Sequence, residues 1–246
     1  MAARLSVNVN KVATLRNSRG GAVPSVIAAV ETCVAAGAPG ITVHPRADER
    51  HIRRADVTEI SGWLRAHAPG VEFNIEGDPR PDLIELVDVV RPDQCTLVPV
   101  TPGEITSHAG WSPDLSPEVL RPVVKRMRDA GIRVSVFVDP DEAAVRWAAA
   151  TGADRVELYT EPYARAFARG AAEGRASYAT YVRVAEAAHA LGLGINAGHD
   201  LDLDNLTLFR ALPYLDEVSI GHALIARALW TGLQRVVEEY LDALQT

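Results

Sequence analysis

The sequence predicts a (β/α)8 barrel. Three observations carry the prediction. Short apolar, β-branched runs alternate with longer helical patterns from one end of the chain to the other. Eight such units follow one another, and 246 residues leave about 31 for each, the usual size of a βα repeat. Runs this apolar need cover on both faces, which a parallel sheet wrapped by helices provides. Eight units in this length favour closure over an open doubly wound sheet.

The first run, LSVNV (5–9), precedes a polar stretch and then SVIAAVETCVAAGA (25–38), which follows Pro24 and has Gly37 next to its end. GITVH (40–44) leads to VTEISGWLRAHA (57–68), with Asp56 placed as its N-cap. VEFNI (71–75) pairs with PDLIELVDVV (81–90), where Pro81 suits a first helical position. CTLV (95–98) is followed by PEVLRPVVKRMRDAG (117–131), and RVSVFV (133–138) by DEAAVRWAAATG (141–152). RVEL (155–158) precedes YATYVRVAEAAHALG (178–192), LGIN (193–196) precedes LDNLTLFRAL (203–212), and EVSI (217–220) runs into HALIARALWTGLQRVVEEYLDAL (222–244). Two connections exceed a simple βα loop, 99–116 and 159–176, and are expected on the rim as lids or subunit contacts. No linker divides the chain, so one domain over 1–246 is expected.

Composition narrows the function classes. The chain is 48% hydrophobic and 23% charged, which excludes wholesale disorder. Its formal charge of −7 argues against a general binder of nucleic acid or anionic membranes. No apolar run approaches the ~20 residues of a membrane span, and the N-terminus lacks a secretory pattern. Cys33 and Cys95 lie inside apolar runs and read as reduced core residues of a cytoplasmic protein. No HxH, CxxC or HExxH pattern calls for a metal, and GxGxxG and GxxxxGK[ST] are both missing.

Barrel active sites lie at the C-terminal ends of the strands. Strand one ends in Asn8, Asn10 and Lys11, with Arg16 and Arg19 beyond. Strand two ends in His44, followed by Arg46, Arg50 and His51. Strand three ends in Glu76, and strand four leads to Glu104 and Thr106. Strand six carries Glu157, then Tyr159 and Thr160. Strand seven meets Gly198-His199-Asp200, and strand eight meets Gly221-His222. Each has a structural alternative: a strand-end histidine hydrogen-bonded in place, a solvated glutamate, a plain glycine turn. Glu157 reads equally as a site carboxylate or as the buried partner of an arginine. Convergence on one mouth favours function, since unpaired polar groups there cost stability. The Gly-His pairs and the arginines of HPRADERHIRR (44–54) give two candidate anion sites, suiting a bisphosphate or two phosphorylated substrates.

The segments SVNVNKVATLRNSRGG (6–21), GITVHPRADERHI (40–52), FNIEGDP (73–79), EITSHAGW (104–111), VSVFVD (134–139), VELYTEPYA (156–164), INAGHDL (195–201) and VSIGHALIARA (218–228) resemble the pyridoxine 5'-phosphate synthase family, in order over nearly the whole chain. The resemblance implies a cytoplasmic, homo-octameric (β/α)8 TIM barrel with additional short helices. It implies condensation of 3-amino-2-oxopropyl phosphate with 1-deoxy-D-xylulose 5-phosphate, without metal or cofactor, giving pyridoxine 5'-phosphate, phosphate and water. By resemblance His44 and Glu76 are proton acceptors, His199 is the proton donor, and Glu157 assists the transition state. Asn8, His199 with Asp200, and Gly221 with His222 match contacts to the aminoketone phosphate. Arg46, His51, Thr106 and Asn10-Lys11 match contacts to the deoxyxylulose phosphate, and Arg19 a substrate-reaching arginine of the first loop. The chain departs from the family pattern at Asn10-Lys11 (for Asp-His), Tyr159 (for His) and Asp200 (for Gly). Two rival readings are a Schiff-base aldolase or sugar-phosphate isomerase using Lys11, the only lysine near the mouth, and a non-catalytic binder of phosphorylated metabolites.

Overall fold

A computed structural model of the chain describes residues 2–100 and 107–245. Eight strands form a closed parallel barrel, each paired with the next and the last with the first. They are β1 (Arg4–Asn8), β2 (Gly40–Val43), β3 (Glu72–Gly77), β4 (Gln94–Leu97), β5 (Arg133–Val138), β6 (Arg155–Leu158), β7 (Gly194–Ala197) and β8 (Leu215–Ile220). All eight predicted runs are strands, with ends within two residues of those expected.

The helices are α1 (Asn10–Asn17), α2 (Val26–Ala35), α3 (Arg54–His67), α4 (Pro81–Val90), α5 (Arg121–Asp129), α6 (Glu142–Thr151), α7 (Glu161–Arg169), α8 (Ala171–Ala190), α9 (Leu206–Phe209), α10 (His222–Thr231) and α11 (Leu233–Gln245). Ser25 caps α2 by accepting from the Ala28 amide at 3.2 Å, and Asp141 caps α6 through the Ala143 amide at 2.5 Å.

Three expectations need correction. Asp56 is not the N-cap of α3 but its third residue, where it accepts the Arg53 amide at 2.8 Å and pairs with Arg16 at 2.5 Å. The 159–176 connection is not a loop: α7 and the first turns of α8 fill it, with Glu161–Arg165 and Arg169–Glu173 pairs along the exposed face. The last predicted helix is two, broken at Gly232, whose φ of 86° no helix accommodates. The predicted Glu104 and Thr106 lie outside the described residues.

Strand alternation sorts the side chains by face. Leu5, Val7, Ile41, Val43, Phe73 and Ile75 are buried outward, against the helices. The barrel interior is polar, against the usual layers of Val, Ile and Leu. Ser6 Oγ lies 2.6 Å from Thr42 Oγ1, Asn74 Nδ2 donates to Thr42 Oγ1 at 3.3 Å, and Thr96 Oγ1 donates to Asn74 Oδ1 at 3.1 Å. Closer to the strand N-termini, Arg4 pairs with Glu72 at 3.1 Å and Arg133 also pairs with Glu72. Arg133 Nε donates to Gln94 Oε1 at 2.9 Å, and Arg155 donates to Asn196 Oδ1 at 3.0 Å. Most of these groups partner one another, which is what stabilises a buried polar network, while Gln94 Nε2 and Ser135 Oγ have no hydrogen-bond partner among the described residues. Among the described residues no helix is long and apolar enough to cross a membrane.

Candidate active site

A cavity of about 430 Å³ opens at the C-terminal ends of the strands, within the range of small-molecule sites. Asn8 reaches it from β1, and Asn10 and Lys11 from the first turn of α1. His44, Arg46 and His51 line it from the end of β2 and the following loop, and Glu76 from β3. Glu157 faces it from β6, Gly198, His199 and Asp200 from the end of β7, and Gly221 and His222 from the junction of β8 with α10. Of the predicted residues described, Arg16, Arg19, Tyr159 and Thr160 do not line it, and Arg19 stands apart from the site. It is exposed in the turn after α1.

On one side the geometry begins with the two asparagines. Asn8 Oδ1 accepts the Asn10 amide at 3.0 Å, and Asn10 Oδ1 accepts the His44 amide at 2.9 Å, tying the start of α1 to the end of β2. His44 Nδ1 then lies 3.7 Å from Glu76 Oε2, which Asn8 Nδ2 also approaches at 3.5 Å. Burial, then the Arg46 charge, holds the His44 imidazole well below its usual range. Burial, then the Glu217 carboxyl, pushes Glu76 up to about 8. At neutral pH the two therefore face each other as a neutral base and a largely neutral acid rather than an ion pair. His44 Nε2 is buried and has no hydrogen-bond partner among the described residues, which leaves it able to take a proton.

The loop carrying Arg46 and His51 is held from beneath. Arg16 and Asn17 both donate to the His51 carbonyl, at 3.3 and 2.8 Å, while Arg16 grips Asp56 at 2.5 and 2.9 Å. Arg16 is thus a structural cation rather than a rim contact. His51 Nδ1 accepts the Ile52 amide at 2.9 Å, so the proton of the neutral ring sits on Nε2. Burial, then Arg46 and Lys11, pushes His51 down to about 4, making it a neutral donor beside two cations. Lys11 is exposed and makes no ion pair among the described residues.

Opposite, His199 sits in an aromatic nest that the sequence did not reveal. Its ring centroid is 5.3 Å from Phe137 and 5.7 Å from Tyr159. Thr160 Oγ1 donates to its carbonyl at 2.5 Å. Phe137 lines the cavity from β5, inward because Ser135 and Phe137 share a face. Burial lowers the His199 pKa, and the neighbouring Asp200 carboxylate opposes the shift. Asp200 takes a left-handed φ of 63°, and its carbonyl accepts from Asn205 Nδ2 at 3.0 Å. Glu157 makes no ion pair among the described residues. Burial, then Glu76, holds its carboxyl well above the usual range, so it stands as a cavity acid rather than an arginine's partner.

The two Gly-His positions owe their glycines to close packing. A Cβ on Gly198 would sit 2.6 Å from the Ser219 carbonyl oxygen, and one on Gly221 would sit 3.1 Å from Asn8 Cβ and O. Beyond Gly221 the N-terminus of α10 has no side-chain cap, and its first residues His222 and Ala223 line the cavity. Its unpaired amides suit an anion.

A (β/α)8 barrel with neutral acids and bases facing one another, cations on one rim and an open helix N-terminus on the other, is a barrel enzyme of the acid–base class. Comparison with known proteins narrows this. Residues 5–246 match the family described as pyridoxal phosphate biosynthesis protein PdxJ. A pyridoxine 5'-phosphate synthase of Bacteroides fragilis is 54% identical over 243 residues, covering 98% of this chain and 99% of that protein. That of Porphyromonas gingivalis is 53% identical over 242 residues, covering 98% of each. Among solved structures, thiamine phosphate pyrophosphorylase from Pyrococcus furiosus (14% identity, TM-score 0.62, 98% and 95% coverage) and 3-keto-L-gulonate-6-phosphate decarboxylase from Vibrio cholerae (10%, 0.63, 100% and 98%) share the fold. The chain belongs to the PdxJ family.

Proposed function

We propose that this chain is a pyridoxine 5'-phosphate synthase that condenses 3-amino-2-oxopropyl phosphate with 1-deoxy-D-xylulose 5-phosphate. The observation that carries the reading is the placement of His44 and Glu76, 3.7 Å apart, in a cavity that also holds His199 and two anion-suited rims. Amine addition to a ketone, imine formation and the following dehydrations each move a proton near neutral pH. His44, kept neutral, and Glu76, with its pKa brought near the working pH, serve as acceptors. His199 donates to leaving oxygens, and Glu157 supplies a neutral acid to developing charge.

The phosphates divide between the rims. Asn8, the His199-Asp200 backbone and Gly221-His222 would hold the aminoketone phosphate at the α10 N-terminus. Arg46, His51 and Asn10-Lys11, with Thr106 and Arg19, would hold the sugar phosphate. Because Asn10 spends its side-chain oxygen on His44, the charge at this departure from the family pattern falls to Lys11. Holding both substrates together supplies the proximity that ring closure needs. The whole chain acts as one catalytic domain in the cytoplasm, assembled as a homo-octamer. Exposed Leu229 and Trp230 on α10 are apolar surface suited to a subunit contact.

The test is turnover: incubation with both substrates should yield fluorescent pyridoxine 5'-phosphate with one equivalent of inorganic phosphate. Binding of both without product would favour the non-catalytic binder, and a borohydride-trapped adduct on Lys11 would favour the aldolase reading.

A further inference from the structure

Thr160 stands where a helix cap is expected and does something else. It is the residue before α7, and a threonine there ordinarily accepts an amide of its own helix. Its side chain makes no such cap bond. Oγ1 instead donates to the His199 carbonyl at the end of β7, at 2.5 Å. The residue is fully buried and firmly seated: its carbonyl accepts the Ala164 amide at 3.0 Å, and Tyr181 Oη donates to the preceding Tyr159 carbonyl at 2.6 Å. Past β7, the Leu201 amide donates to the Gly198 carbonyl at 3.0 Å, closing a turn with His199 and Asp200 at its centre. Asp200 holds the left-handed φ of 63°, which a non-glycine residue keeps only where its surroundings fix it. Both peptides flanking Asp200 are fixed. Thr160 holds the His199 carbonyl on one side, and Asn205 Nδ2 holds the Asp200 carbonyl at 3.0 Å on the other.

A trans peptide sets its N–H opposite its C=O, and the His199–Asp200 bond is trans. With the carbonyl turned to Thr160, the Asp200 amide points the other way. Asp200 lines the cavity and Thr160 does not. The Asp200 amide makes no hydrogen bond among the described residues, so it is an unspent donor on the rim where α10 presents its own first amides. We propose that Thr160 is a positioning residue for phosphate: by holding the His199 carbonyl behind the cavity wall, its hydroxyl aims the Asp200 amide at the phosphate of the aminoketone. The inference rests on the phosphate assignment made above for this rim. The exposed Asp200 carboxylate would repel an anion, so the residue serves through its backbone alone, and the orientation of that peptide decides the contact. Without the hydroxyl the carbonyl loses its donor, and the peptide is free to turn an oxygen toward the place where the phosphate needs an N–H.

Thr160→Val removes the hydroxyl at nearly constant shape, and Thr160→Ser keeps it. With valine, KM for the aminoketone phosphate should rise about tenfold, the loss of one charge-assisted hydrogen bond, while kcat and KM for the sugar phosphate change little. Serine should restore the aminoketone KM. A merely structural role would move both KM values together with the melting temperature, or leave serine as impaired as valine, and either result would overturn the proposal. A crystal structure of the unsubstituted protein with inorganic phosphate reads the same point without turnover, and stands if the valine variant fails to fold. A phosphate oxygen at the α10 N-terminus should lie within about 3.2 Å of the Asp200 nitrogen. Phosphate seated there with the Asp200 amide turned away would sink the idea. Should the chain bind phosphate through this amide yet make no pyridoxine 5'-phosphate, the synthase reading fails while the role of Thr160 stands.

Discussion

Replacing Glu76 by glutamine separates chemistry from stability in this site. The carboxyl is pushed up to about 8, so at pH 7 only about one molecule in ten carries the charge. Glutamine has the same shape as the prevailing neutral acid and keeps an oxygen to face Asn8 and His44, now at 3.5 and 3.7 Å. Folding stability should then change by no more than about 1 kcal/mol. Turnover loses a proton acceptor, a loss of about 10²–10⁴-fold, or about 3–5 kcal/mol of barrier. The unsubstituted enzyme has its own signature: between pH 7 and 8 the ionised fraction rises about fivefold, and kcat/KM should rise with it. Three measurements suffice, namely steady-state formation of pyridoxine 5'-phosphate, calorimetric binding of each substrate, and thermal melting. A variant within tenfold of normal turnover would refute the assignment. A large fall in melting temperature would refute it differently, by showing that a charged Glu76 holds the fold together.

Lys11→Met should raise KM for the sugar phosphate about tenfold, the loss of one charge-assisted contact, while Lys11→Arg retains turnover; a borohydride-reduced adduct at Lys11 in mass spectrometry would contradict this. Arg16→Met leaves Asp56 buried without its partner and should cost about 3–5 kcal/mol in urea unfolding; a loss below 1 kcal/mol would show that Asp56 finds another partner. Gly221→Ala places a Cβ 3.1 Å from Asn8, so calorimetry should show weaker binding of the aminoketone phosphate with the fold kept. Glu76 and Glu217 have raised folded-state pKa values, so the stability they contribute is complete below about pH 4.3 and is lost as pH rises through about 8. Melting temperature against pH should therefore fall less steeply across that window for Glu217→Gln than for the unsubstituted chain.

The strands were legible because each has one apolar face that must meet the helices, and β-branched runs of four to six residues admit few other readings. The His44, Glu76, His199 and Gly221-His222 positions were legible for a related reason: in a barrel the residue closing a strand has one place to go. What escaped was set by register or by packing at a distance. RVSVFV reads as one apolar run, and only the pairing of Ser135 and Phe137 with β4 and β6 shows that Phe137 turns inward beside His199. Asp56 looked like a cap because it precedes an apolar pattern, yet the helix starts two residues earlier and the Asp56 carboxylate pairs with Arg16. In α7, Pro162 inside the first turn was a start signal available in the sequence. It was masked by Gly170, which ends the helix after nine residues. Helix α1 has three buried residues in eight and little amphipathic pattern to detect.

The polar interior explains why the acids of this site differ from ordinary barrel-mouth carboxylates. A barrel filled with Val and Leu would give Glu76 an apolar floor, raising its pKa by burial alone and offering no partner when it ionises. Here the floor consists of hydroxyls, amides and further carboxyls: Thr42, Asn74 and Thr96 in one ring, Gln94, Asn196 and Glu217 below. The same arrangement leaves carboxyls in excess of guanidinium groups, which obliges the interior to retain protons at neutral pH. A site that must move several protons in one catalytic cycle is thus built on a core whose charge balance already depends on holding them.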